Sequence, residues 1–227
     1  MRNIGNVSVQ PKPSLSVLMP AVLEDDSLLF EPLNGLPLLV QSLQAYEAIS
    51  GVAEVVVTLR EEILLQVAQL CKYYNISVVR KLICAKQPGI SALTAGVYEC
   101  DREAEFIAIG DPQHPFVTPV LMNRLVKAAR ISGASAPAVA VQDTIKVVEN
   151  MQVVSTPKRA DLYSLQMPIV VDSALLKASL LKGEGEDDLL SCMEALGLPL
   201  SLVKGELENK KIVDAIDFAA AGILMRG

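Results

Sequence analysis

The sequence predicts an α/β fold, a three-layer, doubly wound sandwich built on a mostly parallel sheet. Two observations carry that prediction. Short apolar runs recur without in/out alternation, as strands covered on both faces do. Segments with apolar residues at three- and four-residue spacing separate them, giving a βαβαβα order. One stretch, 143–171, breaks the alternation with two β-rich runs and no helix between them.

Taken in chain order, Val17-Leu18-Met19 runs into Pro20-Ala21 and reads as the first strand and its turn. A helix is expected over 35–49, a strand over 53–59 ("AEVVVTL"), a helix over 60–74 and a strand over 75–80 ("NISVVR"). A helix over 89–100, a strand over 105–110 ("EFIAIG"), a helix over 118–132 and strands over 136–141 and 200–205 complete the pattern. Within 143–171, Ile145 to Val148 and Val153 to Thr156 flank a polar Glu149-Asn150 turn, which reads as a β-hairpin arm projecting from the sheet. A hairpin alone is marginally stable in water and an apolar edge invites pairing. The arm is therefore expected to join a second copy of the chain in a homodimer; the alternative is an arm folded over its own subunit.

The chain has 227 residues, 51% of them hydrophobic, enough for one substantial core, so 1–227 is expected to form a single domain. A net charge of −6 gives no general attraction to nucleic acid or to an anionic membrane, and any phosphate must be held by local cations. The first 14 residues lack the apolar core of a signal peptide, and no run approaches the roughly 18 apolar residues of a membrane span, so a cytoplasmic protein is expected. Cys71, Cys84, Cys100 and Cys192 form no C-x-x-C pair and read as free thiols in apolar or helical contexts. A single histidine, His114, excludes a multi-histidine metal site.

Ligands of such folds bind beyond the carboxyl ends of the strands, which puts the weight on the loops there. The first of these, in "SVLMPAVLEDDSLLFEPLNGLPLL" (16–39), should present N–H groups and cations to a phosphate; it offers Glu24, Asp25 and Asp26 instead. Acids suit a helix N-terminus, so a short helix capped by Asp25, Asp26 or Ser27 accounts for them.

Five segments further along carry a family resemblance. "GDPQHPFVT" (110–118), "VQDTIKVV" (141–148), "KRADLYSLQMP" (158–168), "EDD" (186–188) and "VKGELENKKI" (203–212) stand in the order and spacing of motifs written H-D-A-A-R-P-F, D-T-I-K, D-R-x-x-L-x-x-x-Q-T-P-Q, T-D-E and G-x-x-x-N-x-K-I-T. In these residues the chain resembles the 2-C-methyl-D-erythritol 4-phosphate cytidylyltransferase family over nearly its whole length. The resemblance implies a homodimeric enzyme of isoprenoid precursor synthesis. Its substrate's phosphate attacks the α-phosphate of CTP and releases pyrophosphate, with Mg²⁺ bound.

The resemblance also assigns roles. Asp111 is the expected Mg²⁺ carboxylate and, with Lys211, the catalytic pair; Lys211 would neutralise phosphate charge. Asp143, Thr144, Lys146 and Arg159 are implied near the sugar-alcohol phosphate, with Arg159 gripping it bidentately. Pro20, Ala21, Ser91 and His114 fall at nucleotide positions, although Ser91 also suits a first-turn cap after Pro88.

Departures cluster on the triphosphate. Where the family has A-A-G-x-G-x-R-M followed by P-K, this chain has "AVLEDDSLLFEPL", with no glycine and no cation. Losing one preorganised donor costs about 10²- to 10³-fold in rate. His114 stands where the family has an arginine, Pro88 and Ile90 replace the arginine and aspartate of R-x-D-S-V, Met167 replaces the threonine of Q-T-P, and Val213 ends K-I-T. Two function classes follow: a divergent active cytidylyltransferase, or a non-catalytic homodimeric relative that binds a nucleotide, a sugar phosphate or a protein on the inherited surface.

Overall fold

Residues 14–182, 188–195 and 197–225 are described by the computed structural model. The chain runs through β1 (Leu15–Pro20), a 3-10 turn (Asp26–Phe30), β2 (Pro32–Leu33), β3 (Leu36–Pro37), α1 (Leu38–Glu47), β4 (Val52–Leu59), α2 (Glu61–Tyr73) and β5 (Val79–Cys84). It continues through α3 (Ile90–Val97), β6 (Phe106–Ile109), α4 (Pro119–Ser132), β7 (Ala134–Ala140), β8 (Val147–Glu149), β9 (Gln152–Ser155), β10 (Tyr163–Leu165) and β11 (Ile169–Asp172). The last elements are α5 (Ser173–Lys182), α6 (Leu189–Ala195), β12 (Ser201–Lys204) and α7 (Ala215–Leu224).

The central sheet has eight strands. β5, β4, β1 and β6 pair side by side in parallel, and β7 and β12 continue in the same direction. Between β6 and β7 lies an antiparallel line made of β11 and β10, which pair with the two halves of one edge of β7 while β12 takes its other edge. Alternation along each strand sorts the core onto two faces. Val17 and Met19 of β1 pack with Leu39 and Leu43 of α1, Val67 of α2 and Leu121 and Leu125 of α4. Leu18 points the other way, with Leu93 and Val97 of α3, Leu176 of α5 and Met193 of α6. Helices therefore cover both faces, and the doubly wound α/β expectation holds. On the second face α3 lies close enough that a Cβ at Gly96 would strike Leu18 and reach Thr58 Cγ2 at 2.6 Å.

The strand expected at 75–80 is displaced to Val79–Cys84. Asn75, at φ 54°, ends α2 in a left-handed residue, and the Ile76 N–H returns to the Cys71 carbonyl at 2.8 Å. This is a Schellman closure, which must be completed before a strand can start. β5 is also the sheet's edge, half-exposed, so Arg80 and Lys81 within it hide its far end from an apolar count. The hairpin forms, with its turn one residue later than expected, on Asn150 and Met151 (φ 48° and 63°). Both residues are left-handed, as in a two-residue turn that matches strand twist. Residues 163–172, read with the arm in the sequence, belong instead to the central sheet as β10 and β11. Helices α5, α6 and α7 were not expected.

Among the described residues no helix is long and apolar enough to cross a membrane. Cys100 and Cys192 are buried, Cys71 is half-buried and Cys84 is exposed.

Candidate active site

At the carboxyl edge of the parallel strands lies a cleft of about 440 Å³. The end of β1 supplies Pro20, Val22 and Leu23; the N-terminus of α3 supplies Gly89 and Leu93; and the end of β6 supplies Ile109, Gly110 and Asp111. The elbow between β10 and β11 adds Gln166 and Met167, the start of α6 adds Asp188, Leu189 and Leu190, and the loop before α7 adds Lys211.

Asp111 is placed by its own turn. Its Oδ1 accepts the Gln113 N–H at 2.8 Å, and its carbonyl accepts the His114 N–H at 3.0 Å. The turn-forming role that an Asp-Pro pair suggests is therefore realised, and it leaves Oδ2 facing two basic groups. His114 Nδ1 lies 3.2 Å from Oδ2, and Lys211 Nζ lies 3.5 Å from it. Burial pushes the carboxyl's pKa up, but the His114 hydrogen bond and charge, the Lys211 charge and the Gln113 N–H outweigh it and hold Asp111 below the ordinary carboxylate range. The expected pair of Asp111 and Lys211 is thus assembled, as an ion pair.

Behind them, Gly110 sits against Tyr46, whose hydroxyl would lie 2.9 Å from a Cβ at that position. Gln166 holds the elbow by donating to the carbonyls of Glu206 and Asn209 and accepting the Glu206 N–H. The sequence reading missed Gln166, and no motif marks it as more than part of Q-M-P. It also missed the apolar wall of Leu165, Leu189 and Leu190.

The first loop is a closed structure. Asp25 caps the 3-10 turn by accepting the Ser27 N–H at 2.9 Å, as its acidity predicts. Asp26 accepts the Leu23 N–H at 2.8 Å and binds the guanidinium of Arg60. Ala21 is fully buried and donates its N–H to the Thr58 carbonyl at 2.7 Å. Of the expected nucleotide contacts, Pro20 lines the cleft and His114 stands behind Asp111, but the N–H of Ala21 is turned into the fold. Ser91 is exposed and not part of the cleft lining, and the N-terminus of α3 at Gly89 has no side-chain cap, so the capping role fails too.

Asp143, Thr144, Lys146 and Arg159 are all exposed on the arm and do not line the cleft. Lys146 Nζ donates to Thr156 Oγ1 across the hairpin at 2.8 Å, and Arg159 donates to the Gln142 carbonyl at 3.0 Å. Of the "EDD" segment, positions 186 and 187 lie outside the described residues, while Asp188 caps α6 by accepting the N–H groups of Leu190 and Ser191.

A mostly parallel, doubly wound sheet whose carboxyl-edge cleft gathers a strand-end aspartate and a lysine defines an α/β protein with its candidate ligand site at the carboxyl edge of the sheet. The match to known proteins is narrower. The family model for 2-C-methyl-D-erythritol 4-phosphate cytidylyltransferase matches residues 22–227, and the chain belongs to that family. It is 30% identical over 200 residues to the cytidylyltransferase of Halalkalibacterium halodurans, covering 86% of this chain and 87% of the relative. It is 32% identical over 193 residues to that of Alkaliphilus metalliredigens, covering 82% and 79%. Among solved structures, the 4-diphosphocytidyl-2C-methyl-D-erythritol synthase of Anaerococcus prevotii superposes with a TM-score of 0.84 at 21% identity, over 95% of this chain and all of that one (100%). The Thermus thermophilus cytidylyltransferase superposes with a TM-score of 0.77 at 25% identity, over 93% and 98%.

Proposed function

We propose that the chain is a non-catalytic member of the cytidylyltransferase family, a homodimer that holds a small ligand in the inherited cleft without transferring CMP from CTP to 2-C-methyl-D-erythritol 4-phosphate. The closed first loop carries this reading. Triphosphate transfer needs N–H groups and cations preorganised at the leaving pyrophosphate. Here the N–H groups of Ala21 and Leu23 are bonded inward, and Arg60, the cation brought to the loop, is neutralised by Asp26. Among the described residues Lys211 is the only cation lining the cleft, and it is already paired with Asp111.

The arm supports the homodimer. Val147, Val148, Val153 and Val154 are all at least two-fifths exposed, on a hairpin too short to be stable alone. In a dimer, Asp143, Thr144, Lys146 and Arg159 would meet the partner's cleft.

An active, divergent enzyme is the second reading, favoured by the Asp111–Lys211 pair. Mg²⁺ is satisfied by one or two carboxylates with phosphate oxygens and water, and an ionised Asp111 suits that role; bound there, the ion would supply charge neutralisation at the phosphates. Among the described residues no cluster of three or more acidic, His or Cys side chains is assembled to hold the ion by itself.

Pyrophosphate release from CTP and 2-C-methyl-D-erythritol 4-phosphate with Mg²⁺, together with CTP calorimetry, tests the proposal. No release above background and no CTP binding below millimolar concentration are expected. Turnover that Asp111→Ala abolishes would overturn it.

A further inference from the structure

The polar groups of the cleft are mostly engaged within the chain. Asp188 is used as the cap of α6, its Oδ1 on the N–H groups of Leu190 and Ser191 and its Oδ2 on the Ser191 hydroxyl at 2.8 Å. Gln166 makes three bonds to the backbone of Glu206 and Asn209. Asp111 accepts the Gln113 N–H on one oxygen and faces His114 and Lys211 with the other. Among the described residues, what the cleft still offers a ligand is an apolar wall, with Val22, Leu23, Leu93, Leu165, Met167 and Leu190 in its lining, and Lys211. That lysine has three donors, one ion-pair partner at 3.5 Å and a side chain 50% exposed.

We infer that the cleft takes a small molecule with an apolar body and a single anionic group, the body against the Leu165–Met167 elbow and the anion on Lys211. The inference rests on the non-catalytic reading, because it assigns the cleft a ligand other than a nucleoside triphosphate. Lys211 shares its charge with Asp111 and can spare a donor for one further anionic group, whereas each additional negative charge on a ligand would meet Asp111 and Asp188 in the same lining. Burial of apolar surface supplies the attraction, and the single charge fixes orientation.

The test titrates the full-length chain with anilinonaphthalene sulfonate, an apolar body with one anionic group, and in parallel with neutral N-phenylnaphthylamine, following dye fluorescence. Both dyes are expected to saturate one site. Lys211→Met should weaken the sulfonate about tenfold and leave the neutral dye within about twofold, while Lys211→Arg restores the sulfonate. Leu165→Asp should weaken both. Thermal melts of each variant by circular dichroism confirm that the fold is retained. Sulfonate binding indifferent to Lys211→Met, or dye binding indifferent to Leu165→Asp, overturns the inference. CTP turnover on the same preparation separates the two readings. Turnover with Lys211-dependent dye binding overturns only the non-catalytic reading, and no turnover with Lys211-independent binding overturns only the ligand class.

Discussion

Asp26 binds the guanidinium of Arg60 with one carboxylate oxygen and the N–H of Leu23 with the other, tying the loop after β1 to the end of β4. An acid at this position is a structural tether. Asp26→Ala should lower the unfolding free energy by about 1–3 kcal/mol, the range for charged hydrogen bonds lost with a backbone donor left behind. Glu24→Gln, on an exposed side chain of the same loop, should change it by less than about 0.5 kcal/mol. Urea unfolding of the two variants beside the parent decides the matter; equal effects would mean that the pair contributes nothing.

Acid should act through Asp111. Its folded-state pKa lies below the ordinary value of about 3.9, so its ionised form stabilises the native state above about pH 4, and that contribution disappears as pH falls through the folded value. The difference in unfolding free energy between the parent and Asp111→Asn is expected to be largest near pH 6 and to close below about pH 4. A difference that grows with acid would mean that burial outweighs His114 and Lys211.

Gly96 sets how closely α3 approaches the sheet. Gly96→Ala places a methyl group against Leu18 and Thr58 and should cost about 1–3 kcal/mol by overpacking. Gly222→Ala, in α7 with nothing within 4 Å of the added carbon, should stabilise by about 0.4–1 kcal/mol. Thermal melting of the two variants should shift in opposite directions.

Val148 and Val153 face each other across the hairpin, both exposed. Changing both to Asp should halve the mass measured by light scattering at micromolar concentration while leaving the far-ultraviolet circular dichroism of the folded chain unchanged. A parent chain that is already monomeric at that concentration would remove the arm's assigned role.

The sequence reveals the buried half of this fold well. β1, β4, β6 and β7 are covered on both faces, so composition alone marks them, and the helices between them carry a clear period. β5 and β10 escape or blur because they are half-exposed or exposed, and polar residues such as Arg80, Lys81 and Ser164 break the apolar signal, whereas β12 is found within the expected 200–205. Asp111 and Lys211 are found by motif and do meet. Gln166 is invisible because its role depends on backbone groups some 40 residues away, at Glu206 and Asn209, which only the folded chain brings near. The acids of the first loop are legible as a cap at Asp25, whereas the tether to Arg60 spans 34 residues and leaves no local trace.

The arm leaves the sheet at the end of β7 and returns to pair with that same strand. Val141 donates its N–H to the Leu162 carbonyl at 3.1 Å, and Tyr163 sits opposite Ala140 in the ladder. The two ends of the excursion are therefore already neighbours. Topologically the hairpin is a cassette with a closed base: it can be trimmed, lengthened or exchanged without rethreading any other strand. A lineage could reshape the arm while the cleft at the far ends of β1 and β6 keeps its scaffold.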